Sequence, residues 1–122
     1  MEFDRQTLID LYTTMLTIRR FEERAYNEFY AGNLFGFVHS YIGQEAIATG
    51  VCAHLTREDR IVSNHRGHGH CIAKGADMKK MMAEIYGKKT GYCKGKGGSM
   101  HIADFSIGML GADGIVGAGL PI

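Results

Sequence analysis

The segment Asn64-His65-Arg66-Gly67-His68-Gly69-His70 sets a guanidinium, three imidazoles and two glycines side by side. Farther along stand Lys94-Gly95-Lys96-Gly97-Gly98-Ser99-Met100-His101 and Gly114-Ile115-Val116-Gly117. A guanidinium offers a planar fork of donors that matches phosphate oxygens, and glycines let main-chain N–H groups approach an anion closely. The mixture suits an anionic cofactor. Arg66 is the residue expected to meet it, because a hydrogen bond to an ionised group contributes about 1.5–3 kcal/mol.

The spacing His65-x-x-His68-x-His70 also raises metal binding, since imidazole is a common metal ligand. No Asp, Glu or Cys joins these histidines in a ligand pattern. They are therefore read as hydrogen-bonding groups around a cofactor or as partners of loop carbonyls. Lys94-Gly95-Lys96-Gly97-Gly98-Ser99 looks like a phosphate cradle but lacks the Gly-x-x-x-x-Gly-Lys-Ser/Thr spacing, which argues against nucleoside-triphosphate hydrolysis. Phe37-Val38-His39, just ahead of Gly43-Gln44-Glu45-Ala46, adds one more loop imidazole.

These loops need elements to hold them. From Gln6 to about Tyr30 the apolar residues Leu8, Leu11, Met15, Ile18, Ala25 and Phe29 recur at helical steps, with Asp4 placed to cap the start and Gly32 the end. Arg19, Arg20, Glu22, Glu23 and Arg24 on the same helix read as a solvated charged face, with Arg20 placed to meet a partner chain. A second helix is expected over Gly43 to about Leu55, where Ala46, Ala48, Gly50 and Ala53 would allow close packing. Ile61-Val62-Ser63 is a short β-prone run that delivers the His/Arg loop at a strand's carboxyl end, where open α/β sheets bind ligands. Asp77 is placed to cap a third helix, Met78 to Tyr86, whose methionines form a core stripe. Ten of the 17 glycines fall between Gly87 and Gly119, which precludes long regular elements there.

With 122 residues and a net charge of +1, the chain matches about one domain and offers no basic run to follow a nucleic acid. The N-terminus is charged at once, and no stretch approaches the roughly 20 apolar residues of a membrane span, so a cytoplasmic protein is expected. Cys52, Cys71 and Cys93 are too widely spaced for a thiolate metal site and read as packed or incidental thiols. The small apolar end from Val116 to Ile122, with neither polar tail nor helix cap, leads one to expect the chain to be the N-terminal part of something longer.

Four segments in order, Phe37-Val38-His39 with Gly43-Gln44-Glu45-Ala46, Ser63 to His70, Gly91 to His101 and Gly114 to Gly117, resemble the alpha subunit of thiamine-diphosphate-dependent 2-oxo acid and acetoin dehydrogenases. His65-Arg66-Gly67-His68-Gly69-His70 and Met100-His101-Ile102-Ala103-Asp104 look most like the acetoin branch, pyruvate-type enzymes often having Tyr at the position of His65. The resemblance implies an α/β fold in which an N-terminal helical arm leads into a parallel-sheet thiamine-diphosphate-binding fold, of which residues 1–122 would be the incomplete N-terminal part.

Carried over by position, the resemblance implies that Arg66 binds the cofactor diphosphate with His65 beside it, and that Gly114 and Val116 meet the aminopyrimidine through their backbone. His39 would be the catalytic residue near the reacting carbon, Phe37 would line the pocket, and His101 would be a secondary candidate. Asp113 stands where the family usually has Asn, adding a negative charge near the cofactor. No metal ligand is assigned here, since the family's Gly-Asp-Gly…Asn segment for Mg²⁺ is expected beyond Ile122. The implied reaction cleaves acetoin or decarboxylates pyruvate and passes the two-carbon unit to a lipoyl-bearing acyltransferase, within a multienzyme complex built on a heterotetramer with a beta subunit. The rival expectation is a non-catalytic truncated fragment serving at most as an assembly or interaction piece.

Overall fold

The computed structural model describes residues 3–115, so Val116 and the apolar end 117–122 lie outside the described residues. The order is α1 (Arg5–Tyr30), α2 (Glu45–Cys52), β1 (Ile61–Asn64), α3 (His68–Ala73), α4 (Met78–Ile85), a 3₁₀ turn (Phe105–Ile107) and β2 (Met109–Asp113). The two strands run parallel, pairing Ile61 with Met109, Ser63 with Ala112 and Asn64 with Asp113, with a register shift between Ile61 and Ser63. Parallel neighbours need a long crossover, and α3, α4 and the glycine-rich segment supply it. A helical arm and a small parallel sheet match the α/β fold expected from the sequence.

Local chemistry sets the helix ends. The Asp4 carboxylate accepts the Thr7 N–H at 3.0 Å at the start of α1, and Asp77 accepts the Lys79 N–H at 2.8 Å at the start of α4. After α1 the chain turns through Gly32, whose φ of +76° favours glycine, as its place at the helix end leads one to expect. The buried side of α1 carries Ile18, Phe21 and Ala25, the first two packed in a core cluster with Tyr41, Met81 and Met109.

Three expectations need correction. The apolar row of α1 is covered only in part: Leu8 is exposed and Leu11 and Met15 are half-buried, while Ile9, Tyr12 and Leu16, which stand outside that row, are exposed. Glu22 does not belong to a solvated charged face, since it is fully buried while its neighbour Arg20 is exposed and pairs with Glu23 at 2.9 Å. On α2 the small residues do not together make the packing face. Ala48 is buried, but Ala46, Gly50 and Ala53 are exposed, and the other inward positions are Glu45, Thr49 and Cys52.

Glu45 shows how α2 is fixed to α1. Its Oε1 accepts from Arg19 Nε at 2.6 Å and its Oε2 from the Gly43 N–H at 3.0 Å. Burial raises the Glu45 pKa, but Arg19 and the main-chain donors outweigh it and hold the carboxyl below its ordinary range. Cys52 and Cys71 are buried and all three cysteines are free. Burial pushes the Cys71 thiol up to about 12, so it packs as an inert apolar group.

Candidate functional site

The His/Arg segment begins at the carboxyl end of β1, but only its first part is loop. Gly67 precedes α3, and His68 and His70 belong to the helix itself. Gly69 lies where α3 crosses Tyr41, and a Cβ at this position would collide with the nearest Tyr41 ring carbon. Only glycine allows that approach.

The three imidazoles therefore go to three sets of partners. His70 Nδ1 lies 2.6 Å from Ser63 Oγ and its Nε2 3.0 Å from the Tyr41 hydroxyl. Because Ser63 Oγ also donates to the Asn64 carbonyl, the consistent assignment has Nδ1–H donating to Ser63 and Tyr41 O–H donating to Nε2. His68 points into the core, its Nδ1 2.8 Å from Glu22 Oε1 and its Nε2 3.0 Å from the Ser99 carbonyl oxygen. His65 turns toward the segment between α1 and α2, where its ring meets His39 edge-on, the ring centres 5.7 Å apart. Among the described residues no three metal-ligating side chains converge.

Arg66 joins the same two segments. Its Nη1 donates to the Ser40 carbonyl at 2.7 Å, and its main-chain N–H donates to Asn64 Oδ1 at 2.9 Å. One end of the guanidinium is thus spent on holding the His39 segment against the His/Arg loop. Gly114 follows Asp113, which pairs with Asn64 across the sheet, so it leaves the neighbouring parallel strand at the same end. Asp113 turns its charge inward on its own loop, Oδ1 accepting the Ile115 N–H at 2.8 Å.

Two buried nitrogens at this place have no partner: His39 Nδ1 and His65 Nδ1. Buried polar atoms are normally paired, so adjacent orphans mark where a polar group from outside these residues would fit. His39 is held below the ordinary imidazole pKa by burial first and then by the nearby His65, Arg66 and His68. It is neutral at neutral pH, with one nitrogen to donate and one to accept. Phe37, in contrast, is 79% exposed and touches Phe29 from the α1 side. His101 is exposed, and its Nδ1 bonds the Ala112 carbonyl at 3.0 Å, which ties β2 to the glycine-rich segment.

The profile of the Dehydrogenase E1 component family matches residues 13–122. The chain belongs to this family. Among its relatives, the alpha subunit of the acetoin:2,6-dichlorophenolindophenol oxidoreductase of Cupriavidus necator is 59% identical over 122 residues, covering 100% of this chain and 37% of that protein. The subunit of the same name from Bacillus subtilis is 63% identical over 112 residues, 92% of this chain and 34% of the relative. The chloroplastic pyruvate dehydrogenase E1 component subunit alpha-3 of Arabidopsis thaliana is 43% identical over 114 residues, 93% of this chain and 27% of the relative. This E1 chain thus spans about a third of the length of the curated relatives it matches.

Within the E1 chain the glycine-rich segment is not an empty phosphate cradle, because a carboxylate of the protein already fills it. Glu84 of α4, fully buried, accepts the N–H groups of Cys93 at 2.8 Å, Gly95 at 2.8 Å, Gly97 at 2.7 Å and Gly98 at 3.2 Å. Gly95, with φ +76°, lies so close to the Gly87 carbonyl that a Cβ would collide with it. Sequence reasoning passed over Glu22, Glu84 and Ser99. A signal existed for the two carboxylates, since Glu22 falls on the helical steps of Ile18 and Ala25, and Glu84 on those of Met81 and Ile85. Ser99 gave none.

Proposed function

We propose that the protein carrying this segment is the alpha subunit of a thiamine-diphosphate-dependent dehydrogenase that cleaves acetoin and passes the two-carbon unit to a lipoyl group, pyruvate being the next candidate substrate. The observation that carries the reading is the meeting of the Arg66 and Gly114 loops at one end of adjacent parallel strands, beside two imidazoles with orphaned nitrogens. Anionic cofactors bind at such strand ends in open α/β sheets. The 59% and 63% identities to acetoin-named subunits, against 43% to the pyruvate-named one, favour acetoin.

The orphaned nitrogens and the Arg66 donors fit a polar, anionic group. In this reading the donors of Arg66 not spent on Ser40 bind the diphosphate, with His65 alongside. The backbone of Gly114 and Val116 meets the aminopyrimidine, Val116 lying outside the described residues. The bound cofactor supplies the carbanion chemistry that breaks the carbon–carbon bond. His39, neutral and half-buried, is then the group that meets charge or a proton at the reacting carbon, while Phe37, exposed beside Phe29, is the residue proposed to line the pocket mouth. Mg²⁺ would be held by the family's Gly-Asp-Gly…Asn segment, a motif that these 122 residues do not contain. A beta subunit, paired in a heterotetramer, and a lipoyl-bearing acyltransferase complete the assembly, working in the cytoplasm.

A second reading keeps the 122 residues by themselves as a non-catalytic assembly piece. The exposed apolar residues of α1 and α2, such as Tyr12 at 62% and Ile47 at 60%, favour it for the isolated chain. Cofactor titration of the assembled enzyme, wild type against Arg66→Ala, tests the first reading. Loss of one charge-assisted bond, about 1.5–3 kcal/mol, corresponds to a Kd raised by about one to two decades. An unchanged Kd removes Arg66 from the site.

A further inference from the structure

A row of hydrogen bonds leads from the middle of α1 to the backbone of His39. Glu22 Oε1 stands 2.8 Å from His68 Nδ1, and His68 Nε2 stands 3.0 Å from Ser99 Oγ. Ser99 Oγ in turn accepts the His39 N–H at 2.9 Å. Glu22 and His68 are fully buried and Ser99 is 8% exposed, so water does not compete for these bonds. At one end of the row the Ser99 hydroxyl oxygen receives the His39 amide; at the other, His68 Nε2 lies 3.0 Å from both the hydroxyl and the carbonyl oxygen of Ser99, and it either accepts the hydroxyl proton or donates to the carbonyl.

Ser99 is itself held from two sides. Its main-chain carbonyl also lies 3.0 Å from His68 Nε2, so this one imidazole nitrogen has both polar ends of the residue within reach and bonds one of them according to its protonation. Just before it, the Gly97 and Gly98 amides are pinned by the Glu84 carboxylate. The His39 segment contrasts with this rigidity. Between Tyr30 and Glu45 it has no regular secondary structure, and its flanking residues Phe35 and Phe37 are 92% and 79% exposed. The Ser99 hydroxyl is the anchor given to His39 itself, with Arg66 holding the next residue through the Ser40 carbonyl.

We infer that Ser99, aligned by the Glu22–His68 pair, is a positioning residue that fixes the His39 backbone and thereby the place of its imidazole in the site. The inference rests on the reading that His39 meets the reacting carbon. A group that must lie within hydrogen-bond reach of a changing atom loses effectiveness when its backbone drifts, even by about 1 Å. The effect belongs chiefly in turnover, because Ser99 bonds the His39 amide and touches none of the Arg66 donors left for the diphosphate.

The test is a double-mutant cycle in the assembled enzyme with Ser99→Ala, His39→Ala and the pair, reading kcat, cofactor Kd and thermal midpoint. The expected result is a kcat lowered about tenfold by Ser99→Ala, equivalent to about 1.4 kcal/mol, with cofactor Kd changed less than about twofold. In the His39→Ala background Ser99→Ala should have no further effect on kcat, since its action runs through the missing imidazole. Ser99→Cys, of similar size and with a weaker acceptor, should fall between wild type and Ser99→Ala, and it serves for the cycle if the alanine variant does not fold. If His39→Ala lowers kcat but the serine substitutions leave it unchanged, or lower it equally in both backgrounds, the positioning role is overturned. If His39→Ala itself leaves kcat unchanged, the failure lies in the reading of His39, and the inference falls with it.

Discussion

Glu22 and His68, 46 residues apart in sequence, meet with both side chains fully buried and 2.8 Å between Oε1 and Nδ1. The pair crosses from the long α1 to the start of α3, and the Phe21 ring packs edge-on against the same imidazole at 5.7 Å. Glu22→Leu would leave Nδ1 facing hydrocarbon. Stranding a buried polar partner costs about 3 kcal/mol or more, so the thermal midpoint of the assembled enzyme should fall by several degrees. Glu22→Gln, which keeps an oxygen for Nδ1–H, should cost less, and equal losses for the two variants would show that hydrogen bonding to His68 is not what Glu22 contributes.

Glu84 organises the glycine-rich segment through four amides, and a neutral residue cannot replace it without leaving donors unmatched. Glu84→Ala is expected to destabilise by about 3–4 kcal/mol, at the upper end of single-residue effects. Hydrogen exchange reads it directly. The amides of Cys93, Gly95, Gly97 and Gly98 should lose protection ahead of the rest of the chain, and retained protection in the variant would show that packing alone holds the loop.

Acid sensitivity follows from two histidines. Burial lowers the pKa of His70, and burial first, with His65, Arg66 and His68 close by, lowers that of His39, both below the ordinary value of about 6.5. As pH falls, the unfolded chain takes up these protons first. The stability the neutral imidazoles contribute is therefore complete above about pH 6.5 and is lost as pH falls through their folded pKa values. Glu45 and Asp104, carboxyls held below their usual range, contribute their own loss at lower pH. Thermal midpoints across pH 7.5 to 5, with His70→Gln as the comparison, should show a decline for the wild type that is shallower in the variant. Parallel declines would clear His70 of any part in it.

Residues 1–122 expressed alone should associate and show no acetoin or pyruvate cleavage. Leu8, Ile9, Tyr12 and Leu16 on α1 and Ile47 and Val51 on α2 are exposed apolar residues. The two strands of the small sheet each leave an outer edge unpaired among the described residues. Light scattering and a cofactor-dependent assay check this expectation. A monodisperse monomer that turns over substrate contradicts it.

What the sequence determined by itself was everything encoded locally. The α1 and α4 caps, the strand at Ile61-Val62-Ser63 and the absence of long elements between Gly87 and Ile115 follow from nearest-neighbour chemistry: a carboxylate before a helical run, β-branched residues in series, glycines in excess. The order of four motifs was enough to indicate the family. The tertiary structure decided which polar groups face inward, since a charged residue on a helix can point to water or to a distant partner and the local pattern permits both. Glu22 reads as surface until His68 is folded against it, and Glu84 until the glycine-rich amides wrap around it. The same distinction separates His65, His68 and His70: three similar imidazoles within six residues, sent to the site, to the core and to Tyr41 by the turn from β1 into α3.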